Sequence, residues 1–489
     1  MKTNYPLIAI ILGLASAVCA APAQRPNVLF VISDDLNCRI GCYGDPVAQT
    51  PHLDRLARLG VRFAQAYCQF PLCNPTRSSV LSGRYPTSTG VLDNDTWLTL
   101  AAGQQTLPEY FAAHGYAVEQ FGKIHHVANR GFRPGDPRPE KTAKGVKLNW
   151  VTADERARQQ ADDPDYWGTH HSPYRNMRVE QPEIYAWANE FGPLPADDPG
   201  PDSATANNAL RSLRKLAAGN KPFFLAVGFV KPHVPLKAPQ KFFDLYDPAQ
   251  MPLPADFANE PSGPQATPPD ELRANIDLYT ARRFSEAEAR EAIRAYYACV
   301  TYLDEQLGRV LDELEQLGVA KNTIIVLWGD HGWHLSEKGM WAKGTTFEVA
   351  ARGPLFIADP RFRTAGQTCR RVVQYLDMYP TLADLCGLPQ PDWLEGTSLR
   401  PLLENPEAAW NRPAFTVQSR GWFIGRSIRT ERWRYTEWDE GRRGAMLFDH
   451  EQDPHEMHNL IKDPAQQHVV AELQQQLRAS RVGRSMNRK

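Results

Sequence analysis

Four stretches of strand length, each stopping on polar side chains, constrain the fold more than anything else in the sequence. Asn27–Ser33, Pro222–Phe229 and Thr323–Trp328 are nearly continuous apolar runs, the pattern of parallel strands buried on both faces. Tyr116–Phe121 reads as a fourth strand. The runs deliver Asp34-Asp35, then Lys123 with His125 and His126, then Lys231-Pro232-His233, then Asp330-His331, with Lys343 a little further on. Open α/β sheets bind their ligands at the carboxyl ends of strands. One Asp pair there is as readily a loop cap, but four such endings predict a shared site.

The connecting elements agree with an α/β class. Thr50-Pro51 is expected to cap a short helix with Leu53, Leu56 and Leu59 inward. Thr106-Leu107-Pro108-Glu109 is a capping-box sequence. Apolar residues at 3–4 spacing predict a long helix over Ala292–Leu317, stopped by Gly318, and another helix is expected around Tyr375–Leu385. Residues 129–200 and 248–270 read as long loops of the kind that shape binding sites. Beyond residue 390 the texture becomes Arg- and Trp-rich. Gly425–Trp438 and Ala445–Asp449 predict antiparallel strands, Ala465–Leu477 a final helix, and Arg478–Lys489 a loose tail. The expected division is 1–20 leader, 25–389 catalytic domain and 390–489 smaller α+β subdomain.

With 55 basic and 56 acidic residues, no global field points to nucleic acid or a membrane surface. Lys2, the apolar Leu7–Leu14 and Val18-Cys19-Ala20 form an export signal, too short for a membrane span, so a periplasmic or extracellular protein is expected. Val18 makes a lipid anchor at Cys19 the weaker reading. Export permits disulfides among Cys38, Cys42, Cys68, Cys299, Cys369 and Cys386, with about 15 possible pairings.

Cys73 lies at the mouth of a further predicted helix, with Pro75 in its first turn and Gly83 just past its end. A lone cysteine there is ordinarily a small buried hydrophobe. Asp34, Asp35 and Asp330, with His331 alongside, form an oxygen-dominated donor set that suits calcium better than zinc, with magnesium second to calcium. A soft thiol is a poor companion for such a cation.

Cys73-x-Pro75-x-Arg77 followed by Leu81-Ser82-Gly83-Arg84 resembles the signature by which sulfatases mark a cysteine for oxidation to formylglycine. Nearly the whole mature chain resembles formylglycine sulfatases of the alkaline-phosphatase-like superfamily. The likeness is strongest to the iduronate-2-sulfatase branch, through Lys231-Pro232-His233-Val234-Pro235, Asp330-His331-Gly332-Trp333 and Trp341-Ala342-Lys343. The resemblance implies a mixed, mostly parallel sheet between helices and a sulfated carbohydrate substrate, with 2-O-sulfated uronic acid as the narrower possibility. It also implies a maturating partner, either a formylglycine-generating or an anaerobic sulfatase-maturating enzyme. On this pattern the hydrate made from Cys73 attacks sulfur, and Asp34, Asp35, Asp330, His331 and modified Cys73 hold calcium. Arg77 steadies the hydrate. Lys123, His233 and Lys343 clasp the sulfate, with His233 and Lys343 protonating the leaving oxygen. A histidine beside Lys123 takes the hydrate's second proton. A Lys-x-His spacing selects His125, and the Lys-x-x-His spacing of the iduronate branch selects His126, which is preferred here.

The basic stretches Arg130–Lys147 and Arg426–Arg443 read either as contacts for a polyanionic sugar or as solvated loop charge. His170-His171 lies in the aromatic loop and could touch substrate. Two competing functions stay open: a phosphodiesterase or phosphonate monoester hydrolase of the same superfamily, and an inactive secreted glycan-binding protein.

Overall fold

The computed structural model describes residues 25–94, 96, 98–126, 191–258, 262–272, 284–420 and 423–482. The leader with Cys19, the stretch Arg130–Lys147, His170-His171 and most of the first long loop lie outside the described residues. So does the tail beyond residue 482. Seven strands form the main sheet: β1 (Asn27–Ser33), β2 (Val61–Tyr67), β3 (Ala117–Gly122), β4 (Phe223–Phe229), β5 (Thr323–Gly329), β6 (Leu355–Ala358) and β7 (Thr368–Gln374). Their order is β7-β2-β6-β5-β1-β4-β3. All pairings are parallel except those of β6, which runs against both neighbours. The four strands expected from the sequence are therefore contiguous and parallel, and their carboxyl ends share one edge.

β1 shows why these runs are apolar throughout. Leu29 and Val31 enter the core on one face, and Val28, Phe30 and Ile32 enter the core on the other. The first face is covered by α1 (Pro51–Leu59), α4 (Pro201–Ala217) and α5 (Glu286–Gln316). The second is covered by α2 (Cys73–Ser82), α3 (Leu107–Ala113) and α6 (Met378–Leu385).

Several local expectations change. Leu59 is 42% exposed, while Leu53 and Leu56 are buried. Residues spaced by three drift about 60° backward around a helix at each step, so the third leaves the buried face. The Thr50 hydroxyl accepts from the Gly41 N–H (2.9 Å) rather than capping α1. The N–H groups of His52 and Leu53 go to the Asp304 carboxylate on α5, at 3.0 and 2.7 Å. α5 begins six residues earlier than its apolar stripe, at a Ser285–Glu288 capping box. The strand before Lys123 is shifted by one residue, to Ala117–Gly122.

The C-terminal sheet has four antiparallel strands, β8 (Ala414–Arg420), β9 (Phe423–Arg429), β10 (Trp433–Trp438) and β11 (Ala445–Asp449). β8 was not anticipated, and the expected run Gly425–Trp438 is in fact two strands. α7 (Gln467–Ala479) packs Val469, Leu473 and Leu477 on this sheet, in a cluster shared with Phe70, Tyr85 and Leu376 of the larger part. Arg429 and Arg434 are neither solvated nor offered to a ligand. Both are buried, Arg434 ion-paired to Glu348 (2.6 Å) and Glu456 (2.7 Å) across the two parts of the chain. All seven described cysteines are unpaired.

Candidate active site

α2 is buried on every side, so it is a core helix carrying a site rather than an amphipathic surface helix. Gly83 ends it in the left-handed conformation at φ 68°, as the Pro-early, Gly-late pattern requires. Cys73 is its first residue, and its thiol meets the strand ends. Sγ lies 3.0 Å from Lys343 Nζ, 3.6 Å from His331 Nε2 and 4.0 Å from Asp35 Oδ1. The close approach of β3 and β4 needs Gly228, where any Cβ would collide with the Lys123 backbone.

Arg77, one turn along α2, is a fully buried cross-brace. Its Nε donates to Asp330 Oδ2 (3.0 Å), one Nη donates to Asp34 Oδ1 (3.2 Å), and the other donates to the Lys123 carbonyl. Lys123 Nζ pairs with Asp34, and Lys343 Nζ pairs with Asp35. Burial works to raise the Asp34 carboxyl, but Lys123, His233, Arg77 and Lys343 outweigh it and hold it well below the usual range. Burial wins at Asp35, which is raised despite Lys343. Burial also disfavours the charge on Lys343, yet Asp35 and its anionic neighbours hold its pKa well above the ordinary lysine value.

Asp34, Asp35, Cys73, Asp330 and His331 each offer a ligand atom, and these atoms lie within 4.8 Å of one another. Two bonds of calcium length, about 2.3–2.6 Å each, span that spread. Asp35 Oδ2 is buried without a hydrogen-bond partner, the condition expected of an oxygen reserved for a cation. His331 Nδ1 lies 2.9 Å from the Gly332 carbonyl, which accepts its proton and leaves Nε2 as the ligating nitrogen. Asp35 itself sits at φ 63°. That costly conformation is held by Tyr296, whose hydroxyl donates to the Asp35 carbonyl (2.8 Å) and accepts from the Asn37 N–H (2.9 Å). The donor set fits a hard divalent cation.

The histidines divide. His233 Nε2 stands 3.9 Å from Asp34 Oδ2 and 3.8 Å from Asp35 Oδ2, with Nδ1 donating to the Val234 carbonyl (2.7 Å). Burial, then Lys123, pushes His126 well below the ordinary histidine value, and Asp34, Arg77 and Lys343 also act on it. His125 is lowered to about 4 by burial and feels only Arg77. His126 thus belongs to the electrostatic neighbourhood of the cluster more fully than His125 does.

The sulfatase family profile matches residues 26–388. The chain belongs to the sulfatase family. A second profile, N-sulphoglucosamine sulphohydrolase C-terminal, matches residues 336–483 of this sulfatase. It is 34% identical to a sulfatase of Formosa agariphila over 94% of this chain and 88% of that protein. It is 31% identical to iduronate 2-sulfatase of Mus musculus over 75% of this chain and 69% of that protein. Two solved structures share the alkaline-phosphatase-like fold. One is a complex with its substrate D-glucosamine-2-N,6-O-disulfate (TM-score 0.70, 22% identity, 94% of this chain and 100% of that one). The other is phosphonate monoester hydrolase of Agrobacterium radiobacter (TM-score 0.73, 24% identity, 93% and 96%). The sulfatase is accordingly a sulfuric ester hydrolase. Sequence reasoning missed the Tyr296 brace and a buried carboxylate, Asp202, behind His233. Asp202 belongs to α4, a helix the sequence reading did not anticipate, and Tyr296 falls inside the apolar stripe of Ala292–Leu317.

Proposed function

We propose that the protein is an exported sulfatase that removes sulfate from a carbohydrate, with a 2-O-sulfated uronic acid as the preferred class. The convergence of Lys123, His233, Lys343 and Arg77 on one cysteine and three carboxylates carries this reading. The uronic-acid preference rests on the iduronate 2-sulfatase likeness, and export rests on the leader. No described helix is long and apolar enough to cross a membrane. Residues 25–389 would supply the chemistry, with 390–489 as a smaller C-terminal subdomain.

Converted to formylglycine by a maturating enzyme, Cys73 would supply a hydrated aldehyde for attack on sulfur, and Asp34, Asp35, Asp330, His331 and the modified Cys73 would hold calcium, whose charge would screen the sulfate. With Asp35 ionised on the cation, three carboxylates balance Arg77, Lys123 and Lys343, so a divalent cation would leave the site net positive, complementary to a sulfate ester. Lys123 and Lys343 clasp the sulfate oxygens, the largest contribution expected in such transfers. Lys343, held protonated, and His233 are assigned the protonation of the leaving oxygen. Burial and Lys123 lower His233 in the free protein, and an arriving anion raises it again. His126, kept neutral at ordinary pH, is the base for the second hydroxyl of the hydrate.

The competing reading is phosphonate or phosphodiester hydrolysis, favoured by the overlap with the phosphonate monoester hydrolase. Matched aryl sulfate, phosphodiester and phosphonate esters separate the two, and a kcat/KM dominated by phosphorus esters overturns the sulfatase assignment. A panel of defined sulfated disaccharides tests the sugar, and release only from positions other than a uronic-acid 2-O-sulfate overturns that choice.

A further inference from the structure

His233 does not lie on a strand or helix, so something else must fix its aim. It follows β4 by four residues, in a turn held by buried polar groups that have no part in the chemistry above. Asp202, the second residue of α4 and fully buried, accepts the Val230 N–H on one oxygen (2.7 Å) and the Lys231 N–H on the other (2.8 Å). The Lys231 side chain is 3% exposed. Among the described residues its ammonium has no carboxylate within ion-pair range. It donates forward to the carbonyls of His233 (3.0 Å) and Pro235 (2.5 Å), closing the turn around the imidazole. The Lys231 carbonyl accepts from Ser33 Oγ (2.8 Å), which ties the same turn to the residue preceding Asp34.

A buried ammonium is costly to keep and is retained only where its hydrogen bonds matter. Here its partners are the backbone of the very residue whose Nε2 faces Asp34 and Asp35. We infer that Lys231 and Asp202 are positioning residues for His233. They fix the turn so that the imidazole reaches the leaving oxygen, while neither touches substrate or the reacting atoms. The inference rests on the acid role given to His233 above. Misplacing a reacting group by about 1 Å costs on the order of 10²-fold in rate.

The test is a double-mutant cycle on two esters of the mature, calcium-loaded protein. One is a sulfated disaccharide whose alcohol leaves only with a proton. The other is 4-nitrophenyl sulfate, whose phenolate leaves unaided. Lys231→Met keeps the stem and removes the ammonium. It is expected to lower kcat on the sugar ester by about 10- to 100-fold, with KM little changed and the aryl ester nearly unaffected. Lys231→Met combined with His233→Ala should lose no more than His233→Ala alone. Asp202→Asn, which keeps one acceptor, should follow in the same direction with a smaller loss. It carries the cycle if Lys231→Met does not fold. Equal losses on both esters together with additive losses in the double variant overturn the inference. If His233→Ala itself lowers both esters equally, the acid role of His233 fails. The positioning inference is then decided by the cycle alone, supported by non-additive losses and overturned by additive ones.

Discussion

The Lys343 ammonium lies 3.0 Å from Cys73 Sγ while paired with the Asp35 carboxylate and set 5.2 Å from the centre of the Trp333 ring. One ammonium therefore touches both the cysteine proposed as nucleophile precursor and a carboxylate of the candidate cation site. Removing it as Lys343→Met should lower kcat/KM for a sulfate ester by about 10²–10³-fold, the range for losing a preorganised charge donor. Arginine should not rescue it, because a planar fork does not fit where a compact ammonium is enclosed. Steady-state kinetics decide the matter, and a loss below tenfold contradicts the role.

Arg77 bridges Asp34 and Asp330 and holds the Lys123 carbonyl as well. Lysine cannot span these partners. Arg77→Lys should lower stability by about 3–5 kcal/mol, the cost of breaking a buried pair, and weaken calcium binding together with activity. Denaturant unfolding and metal content measured on the same preparation check both. A stable variant with full calcium contradicts this account.

Chelation should lower the thermal midpoint and abolish turnover, since buried Asp35 Oδ2 then has no partner. Calcium should restore both. At a free concentration about 100 times its Kd the ion adds about 2.7 kcal/mol to stability. Calorimetry over a calcium titration reads this, and a midpoint indifferent to chelator argues against a resident cation.

Burial pushes the Asp304 carboxyl up to about 7 even though it accepts from Leu53 and His52. The folded state then holds a proton that the unfolded chain releases near 3.8. This contribution is full below that value and is lost as pH rises through about 7. Relative to Asp304→Asn, the wild-type unfolding free energy should fall across this window by up to about 1.4 kcal/mol per pH unit. Parallel unfolding curves for the two proteins at every pH contradict the assignment.

The strands that build the site were legible because burial on both faces removes polar residues from them. β2 reads Val-Arg-Phe-Ala-Gln-Ala-Tyr, with Arg62, Ala64 and Gln65 only partly buried. β6 has four residues, and β7 carries Arg370 and Arg371 at the sheet edge. β6 is too short, and β2 and β7 too mixed, for a continuous or alternating pattern to stand out, so three of the seven strands stayed hidden. The residues of the candidate site were legible for a related reason. Asp34, Lys123, His233 and Asp330 each follow a readable strand, whereas their supports act over long sequence separations. Tyr296 reaches Asp35 from 261 residues away, and Asp202 reaches Val230 across 28. The buried Arg434 between Glu348 and Glu456 looked like surface charge for the same reason. Sequence shows a residue's type and spacing but not the distant carboxylate that makes its burial tolerable.

The central claim is that Cys73 is a precursor and that the active nucleophile is an aldehyde hydrate. The mass of the Cys73-containing peptide from fully active protein tests it most directly. The account predicts a peptide lighter by the exchange of the thiol-bearing methylene for an aldehyde, reactive toward a hydrazine probe, in proportion to specific activity. An intact Cys73 thiol in protein of full activity would contradict it.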